Sequence, residues 1–386
     1  MLKQCWMFAV VFGFTFAASL LVPAVAHAQG TPIIGVLRGA NTLIHFDATN
    51  PSAILTSVPI SGLAAGEVVR GIDIRPANGV LYALVTPNQL TTQVRLYIVN
   101  PVSGAATAVG PPVTVAPGGN FWGMSFNPVV DRVRIVNDFG ANARLHPDTG
   151  ALVTQDSALS GSTTPTVDSL AYDNQAAGAT VTTLYALNTA GNQLARIGGV
   201  NGTPSPNGGV VTNIGVLGTA SLLGTAVSLD FAPSGALYAA YGFQGAGYSL
   251  YTVNTATGAA TLVGLIGTGA AAVDGIAVAN PGLTISPGAG TYTAQQRFDM
   301  VLLLNAPGRS VVGGLAVFDG IDATSYVAGC VTIGQTGTGL TTFRCPSFGG
   351  PLFGAGLHTF SVSLVLDNGA SVSASTTWNV LASTEP

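Results

Sequence analysis

Short runs of alternating apolar and polar residues, cut by Gly, Pro and Asn, fill most of the chain after residue 30. Alternation at period two puts every second side chain on one face, which predicts half-buried strands. No long segment carries the 3.6-residue period of an amphipathic helix. The pattern predicts an all-β protein.

The runs repeat. A first strand opening on a small residue and ending in a turn recurs as Gly71-Ile72-Asp73-Ile74-Arg75-Pro76, Gly123-Met124-Ser125-Phe126-Asn127-Pro128, Ser169-Leu170-Ala171-Tyr172-Asp173-Asn174 and Ser228-Leu229-Asp230-Phe231-Ala232-Pro233. Second strands follow at 80–85, 132–136, 183–187 and 236–240, and third strands at 95–99, 143–146, 193–197 and 249–253. Turns such as His146-Pro147-Asp148-Thr149-Gly150 then lead to a fourth strand, as at 105–110 and 259–264. A fifth first strand, Asp274-Gly275-Ile276-Ala277-Val278-Ala279-Asn280, has no partners after it. Three unpaired strands stand at the other end of the repeats, at 33–37, 43–46 and 53–58. The first strands start 52, 46, 59 and 47 residues apart. Four strands per unit at roughly 40–50 residues predict a β-propeller. Here that is a five-bladed one over 31–281, closed where strands from its two ends share a blade and leave no open seam.

The phrases Gly71–Pro76 with Gly79-Val80-Leu81-Tyr82-Ala83-Leu84, Leu96-Tyr97-Ile98-Val99-Asn100 with Ser103-Gly104-Ala105-Ala106-Thr107, and Phe126-Asn127-Pro128-Val129-Val130-Asp131-Arg132-Val133-Arg134 resemble the bacterial domain-of-unknown-function 4394 family over 33–280. The resemblance implies an exported, β-propeller-like domain. It brings no activity and no catalytic residues.

After Pro281 the repeats stop; 282–287 reads as a linker, and about seven alternating runs over 283–382 suit an immunoglobulin-like sandwich. The phrase Gly356-Leu357-His358-Thr359-Phe360-Ser361-Val362-Ser363-Leu364 followed by Asp367-Asn368-Gly369 resembles the last hairpin of bacterial immunoglobulin-like modules, with Trp378 expected in the core.

Composition narrows the setting. Residues 1–28 read as a signal peptide: Lys3, an apolar run over 7–22, then Ala26-His27-Ala28 before a cleavage at Gln29. The run is shorter than the ~20 residues a membrane span needs, so an exported protein without membrane insertion is expected, in the periplasm or outside the cell. Lys3 is the only lysine, so the mature chain carries 11 Arg against 16 Asp and Glu. That balance argues against nucleic acid as a partner. Cys330 and Cys345 are the only cysteines after the signal; an even count in an exported chain predicts a disulfide.

Candidate chemistry is sparse. His45, His146 and His358 fall in separate units, and no metalloprotease, nucleophile-elbow, EF-hand or phosphate-loop motif is present. Asp73, Asp148 and Asp230 read as turn or strand residues, and Arg132 and Arg134 as structural pairing or ligand groups. A propeller gathers the residues before its first strands at the mouth of the axial channel. Here these are Arg70, Trp122, Asp168, Val227 and Asp274, with Glu67, Asn120 and Phe121 close behind. Loops between second and third strands add Arg38, Asn41, Asn137, Asp138 and Asn142. Carboxylates, amides, Arg and Trp in one concavity suit a polar ligand, or a Ca²⁺ ion held by Asp168, Asp274 and Glu67. Three function classes follow: a non-catalytic binding or scaffolding protein for a glycan or for an envelope or extracellular protein, a metal-dependent propeller hydrolase or lactonase, and a purely structural surface or matrix protein.

Overall fold

The computed structural model describes residues 31–381 apart from 78, 88–90, 102, 162–164, 177, 223–224, 244–246, 279–281, 287–289, 294–296, 306–310, 320, 325–328, 336–339, 350–354 and 367–370. The segment expected to be a signal peptide, 1–28, and the turn Asp367-Asn368-Gly369 lie outside the described residues. Among the described residues the architecture is all-β, its strands paired antiparallel apart from one parallel pair, and no single sheet closes on itself.

Residues 32–278 form five sheets, each built on a path of four strands. One runs β4 (Glu67–Ile74), β5 (Leu81–Pro87), β6 (Thr91–Val99), β7 (Ala106–Ala108), with β8 (Val113–Gly119) also paired to β6. The next comprises β9 (Trp122–Asn127), β10 (Arg132–Asn137), β11 (Asn142–Leu145) and β12 (Leu152–Gln155). Then follow β13 (Val167–Tyr172), β14 (Leu184–Asn188), β15 (Gln193–Ile197) and β16 (Val211–Val216). The fourth is β17 (Val227–Phe231), β18 (Leu237–Phe243), β19 (Gly247–Val253) and β20 (Ala260–Leu265). The fifth joins the two ends of this region: β21 (Val273–Val278) pairs antiparallel with β1 (Pro32–Leu37), which leads to β2 (Thr42–Asp47) and β3 (Thr56–Pro59). Gly35 stands opposite Ile276 and Ile34 opposite Ala277.

The first strands lie side by side in sequence order, β4 by β9, β9 by β13, β13 by β17, β17 by β21, and β21 returns to β4. Their closeness explains the small residues at their starts. A Cβ on Gly275 would sit 2.8 Å from the Ile72 backbone nitrogen, and one on Gly123 would sit 2.9 Å from the Asp168 carbonyl oxygen. Gly275→Ala is therefore expected to cost about 1–3 kcal/mol by overpacking against backbone, measured by urea denaturation. An unchanged midpoint would mean that these strands can part freely.

Polar side chains stitch the same strands together. In the third position of the repeated phrase, Asp73 Oδ2 accepts from the Phe126 N–H (2.7 Å), Ser125 Oγ from the Tyr172 N–H (3.1 Å) and Asp230 Oδ2 from the Val278 N–H (2.6 Å). Ser228, at the first position, accepts from the Ile276 N–H at 2.6 Å. Farther out, Arg75 binds Asp131 in the β9–β10 turn and Asp148 in the β11–β12 turn. Asp148 is thus an ion-pair partner as well as a turn residue.

Residues 282–381 form two sheets, ordered β22 (Gly282–Ser286), β24 (Arg297–Asn305), β28 (Leu340–Gly349), β27 (Val331–Gln335), and β23 (Gly290–Thr293), β30 (Ser371–Leu381), β29 (Gly356–Leu366), β25 (Val311–Phe318), β26 (Ile321–Asp322). Both contribute to one core that includes Met300, Leu302, Cys345, Phe360, Val362 and Trp378. The linker expected at 282–287 is instead mostly strand. β22 pairs with β24 through Leu283↔Leu304 and Ile285↔Leu302, the alternation at 283–286 prevailing over the flanking Gly and Pro. Cys330 and Cys345 are disulfide-bonded. Closing a loop of 15 residues contributes about 3 kcal/mol.

Candidate functional site

The residues that precede the first strands do meet. Arg70, Trp122, Asp168, Val227 and Asp274 line one small cavity, joined by Arg38, Asn120 and Phe121. Strand polarity brings them together: each stands at the N-terminal end of its first strand or within it, while Arg38 follows β1, which runs antiparallel to β21. Ala226 also lines the cavity and was missed in the sequence, because a small apolar residue gives no chemical signal.

The cavity's carboxylates are its unusual feature. Asp168 is 4% exposed and Asp274 9%. Asp274 Oδ1 accepts from Arg38 Nε at 2.8 Å, while Asp274 Oδ2 and Asp168 Oδ1 are buried without a hydrogen-bond partner in the protein. Burial raises the Asp168 pKa well above the usual carboxylate range, and the Asp138 charge adds to it. Burial also raises Asp274, against the opposing pull of Arg38 and Arg70. Burial lowers the Arg70 pKa, opposed first by Asp274. The Arg70 Nε–H donates to Thr86 Oγ1 (2.9 Å), and the Arg38 guanidinium lies over the Phe121 ring, 4.7 Å from its centre. The Trp122 indole N–H donates to the Gly119 carbonyl, which fixes the ring.

Other rim candidates serve the loops. Asp138 Oδ1 accepts from the N–H groups of Asn120 and Phe121, holding the loop that carries them. Asn41 bridges to β4 through the Glu67 carbonyl and the Val69 N–H. Asn137 braces its own loop, accepting from the Phe139 and Ala141 N–H groups. Asn142 donates to the Ser157 and Pro206 carbonyls. Glu67 does not line the cavity. Its Oε2 accepts from the Tyr97 hydroxyl (2.6 Å) and the Ala64 N–H (2.9 Å), so it closes the turn that begins β4.

The three carboxylates therefore do not form a cluster. Among the described residues no group of three or more His, Cys, Asp or Glu is placed to hold a metal ion. Ca²⁺ takes six to eight oxygen ligands, and two guanidiniums lining the same cavity oppose a cation. At about 10 Å³ the space admits one water-sized group. Its chemistry suits a hydroxyl, which donates to a carboxylate oxygen and accepts from a guanidinium.

The histidines remain apart. His45 Nε2 lies 2.9 Å from the Pro101 carbonyl, His146 Nδ1 accepts from the Asp148 N–H in the turn just after β11, and His358 Nδ1 lies 2.6 Å from Asp319 Oδ2.

Among solved structures, the chain is similar to the extracellular domain of BT4673, described as a hybrid two component system, from B. thetaiotaomicron. The two are 10% identical at a TM-score of 0.33, over 93% of this chain and 57% of that one, so this chain spans less than two thirds of its length. It is also similar to the exo-beta-1,3-galactanase of Phanerochaete chrysosporium, at 11% identity and a TM-score of 0.38 over 90% of each chain. CopC from Methylosinus trichosporium OB3b is 14% identical with a TM-score of 0.18, over 27% of this chain and 97% of that one. No curated protein matches the sequence. Residues 42–277 match the family described as Domain of unknown function (DUF4394), and the chain belongs to that family.

Proposed function

We propose that this chain is an exported binding protein, without catalysis of its own, that takes one polar group of a glycan or protein partner into the cavity between Asp168 and Asp274. In this reading the five sheets are the blades of a five-bladed propeller, and 282–381 forms an immunoglobulin-like spacer. The sequence of neighbouring first strands and the β1–β21 pairing support the propeller. The disulfide suits an oxidising compartment outside the cytosol, and no helix among the described residues is long and apolar enough to cross a membrane.

One observation carries the binding role: two buried carboxylate oxygens, Asp168 Oδ1 and Asp274 Oδ2, have no partner in the protein. Leaving such an atom unsatisfied costs about 1–3 kcal/mol or more. In native proteins such an atom meets a water, an ion or a ligand group. A ligand hydroxyl would remove that cost.

The mature chain and its Asp168→Ala/Asp274→Ala variant, applied to a glycan array, test this. The wild type is expected to retain a subset of glycans, and the variant to lose roughly tenfold or more in affinity while keeping its circular dichroism and melting profile. The fold should survive because the variant deletes buried carboxylates that lack full pairing. Equal retention by both proteins would remove the site.

A further inference from the structure

A second cavity, of about 230 Å³, lies away from the rim. It includes Asn127 and Val130 at the opposite end of β9 from Trp122, together with Thr182, Asn201 and Asn207 from the next sheet's loops. Two arginines line it, and their charge is the feature to explain. Arg134, 2% exposed, donates from Nε to the Tyr172 hydroxyl (2.8 Å), from Nη2 to Asn207 Oδ1 (2.6 Å), and from Nη1 to Asn142 Oδ1 and Asp156 Oδ2 (3.0 Å). Arg144 grips the same carboxylate in two places, Nε to Asp156 Oδ2 and Nη2 to Asp156 Oδ1, both at 2.9 Å. Asp156 is 5% exposed at its side chain and is the acid paired with both.

Two guanidiniums on one carboxylate leave one positive charge in surplus. No acid lines the cavity: Asp131, which shares Arg75 with Asp148, and Asp173, which accepts from the Thr182 hydroxyl and the Thr183 N–H, both stand outside it. Arg144 is about a quarter exposed at its side chain, and its Nη1 takes no part in its two bonds to Asp156. Arg144 lines the cavity while holding Asp156 through its other two nitrogens. The remaining wall mixes neutral hydroxyl and amide groups with an apolar lip: Val129, Val130 and Val181 are 40%, 51% and 44% exposed.

We infer that this cavity binds a small carboxylated polyol of hexuronate type, its carboxylate on Arg144, its hydroxyls on the Thr and Asn side chains, and its C–H face on the valine lip. A guanidinium recognises a carboxylate by charge and geometry together. The volume falls below the roughly 300 Å³ at which pockets for drug-sized ligands begin, which matches a single sugar ring. The site shares no residue with the Asp168–Asp274 cavity and stands whether or not that cavity binds a ligand.

Isothermal titration of the mature chain with D-glucuronate, D-glucose and acetate tests it. Glucuronate is expected to bind saturably, and both controls roughly tenfold or more weaker, since each lacks one half of the recognition. Arg144→Gln should weaken glucuronate by a similar factor. Val181→Phe, at an exposed lip position that leaves the buried bonds untouched, should block entry even where the arginine variant folds poorly. No binding of glucuronate, equal affinity for glucuronate and either control, or full affinity in Val181→Phe overturns the assignment.

Discussion

Replacing Arg134 by Met is expected to destabilise the protein by about 3–5 kcal/mol, the usual consequence of removing one partner from a buried ion pair. Arg134 ties β10 to β11 through Asn142, to β13 through Tyr172, and to the 206–208 turn through Asn207. The methionine fills part of the space and satisfies none of these groups. At about 2–4 °C per kcal/mol for a unit of this size, melting should fall by roughly 10 °C. Arg134→Met/Asp156→Asn should lose further stability, because Asp156 stays bidentate on Arg144 in the single variant and the second change deletes that pair. A loss below about 1 kcal/mol in chemical denaturation would show that the network is dispensable.

Stability is expected to fall as pH rises from about 4 to 7, the reverse of the usual behaviour of a paired carboxylate. Burial raises the Asp73 pKa to about 7 against the opposing pull of the Phe126 and Ile74 N–H groups. Burial, together with the Asp73 charge, also raises Asp230 well above its ordinary value. The unfolded chain releases these protons near pH 4, so between about pH 4 and 7 the folded state binds more protons than the unfolded one. Raising the pH through that window therefore favours unfolding. The stability these protons contribute is present in full below about pH 4 and is lost as pH rises through the raised values of the pair. Melting curves from pH 4.5 to 8 should show the decline. Asp73→Asn should flatten it, though at some cost at acid pH, since the amide nitrogen cannot accept from backbone as a carboxyl oxygen does. A melting temperature that rises over this interval would contradict the assignment.

Asp73 and Asp230 mark the boundary of what could be read from sequence. Their place in the repeated phrase was legible, and strand residues they are. Their function as acceptors for the next first strand was not, because Phe126 and Val278 lie 53 and 48 positions away. Glu67 shows the same boundary from the other side: one turn of chain from the rim, it is claimed by Tyr97 and Ala64. Arg144 and Asp156 carried no motif. Arg144 comes to line a cavity only beside residues 180–182 and 201–207, far from it in the chain.

The strands themselves, their small starting residues and the pairing of 33–37 with 273–278 were set by the chain alone, since alternation and crowding are repeated locally in every unit. Which acid meets which base was decided by the folded arrangement. A period of two assigns a side chain to a face, but the angle between neighbouring sheets determines what stands across from it. The packing of the first strands brought Asp168 and Asp274 to one cavity, while the Tyr97 hydroxyl and the Ala64 N–H hold Glu67 outside it.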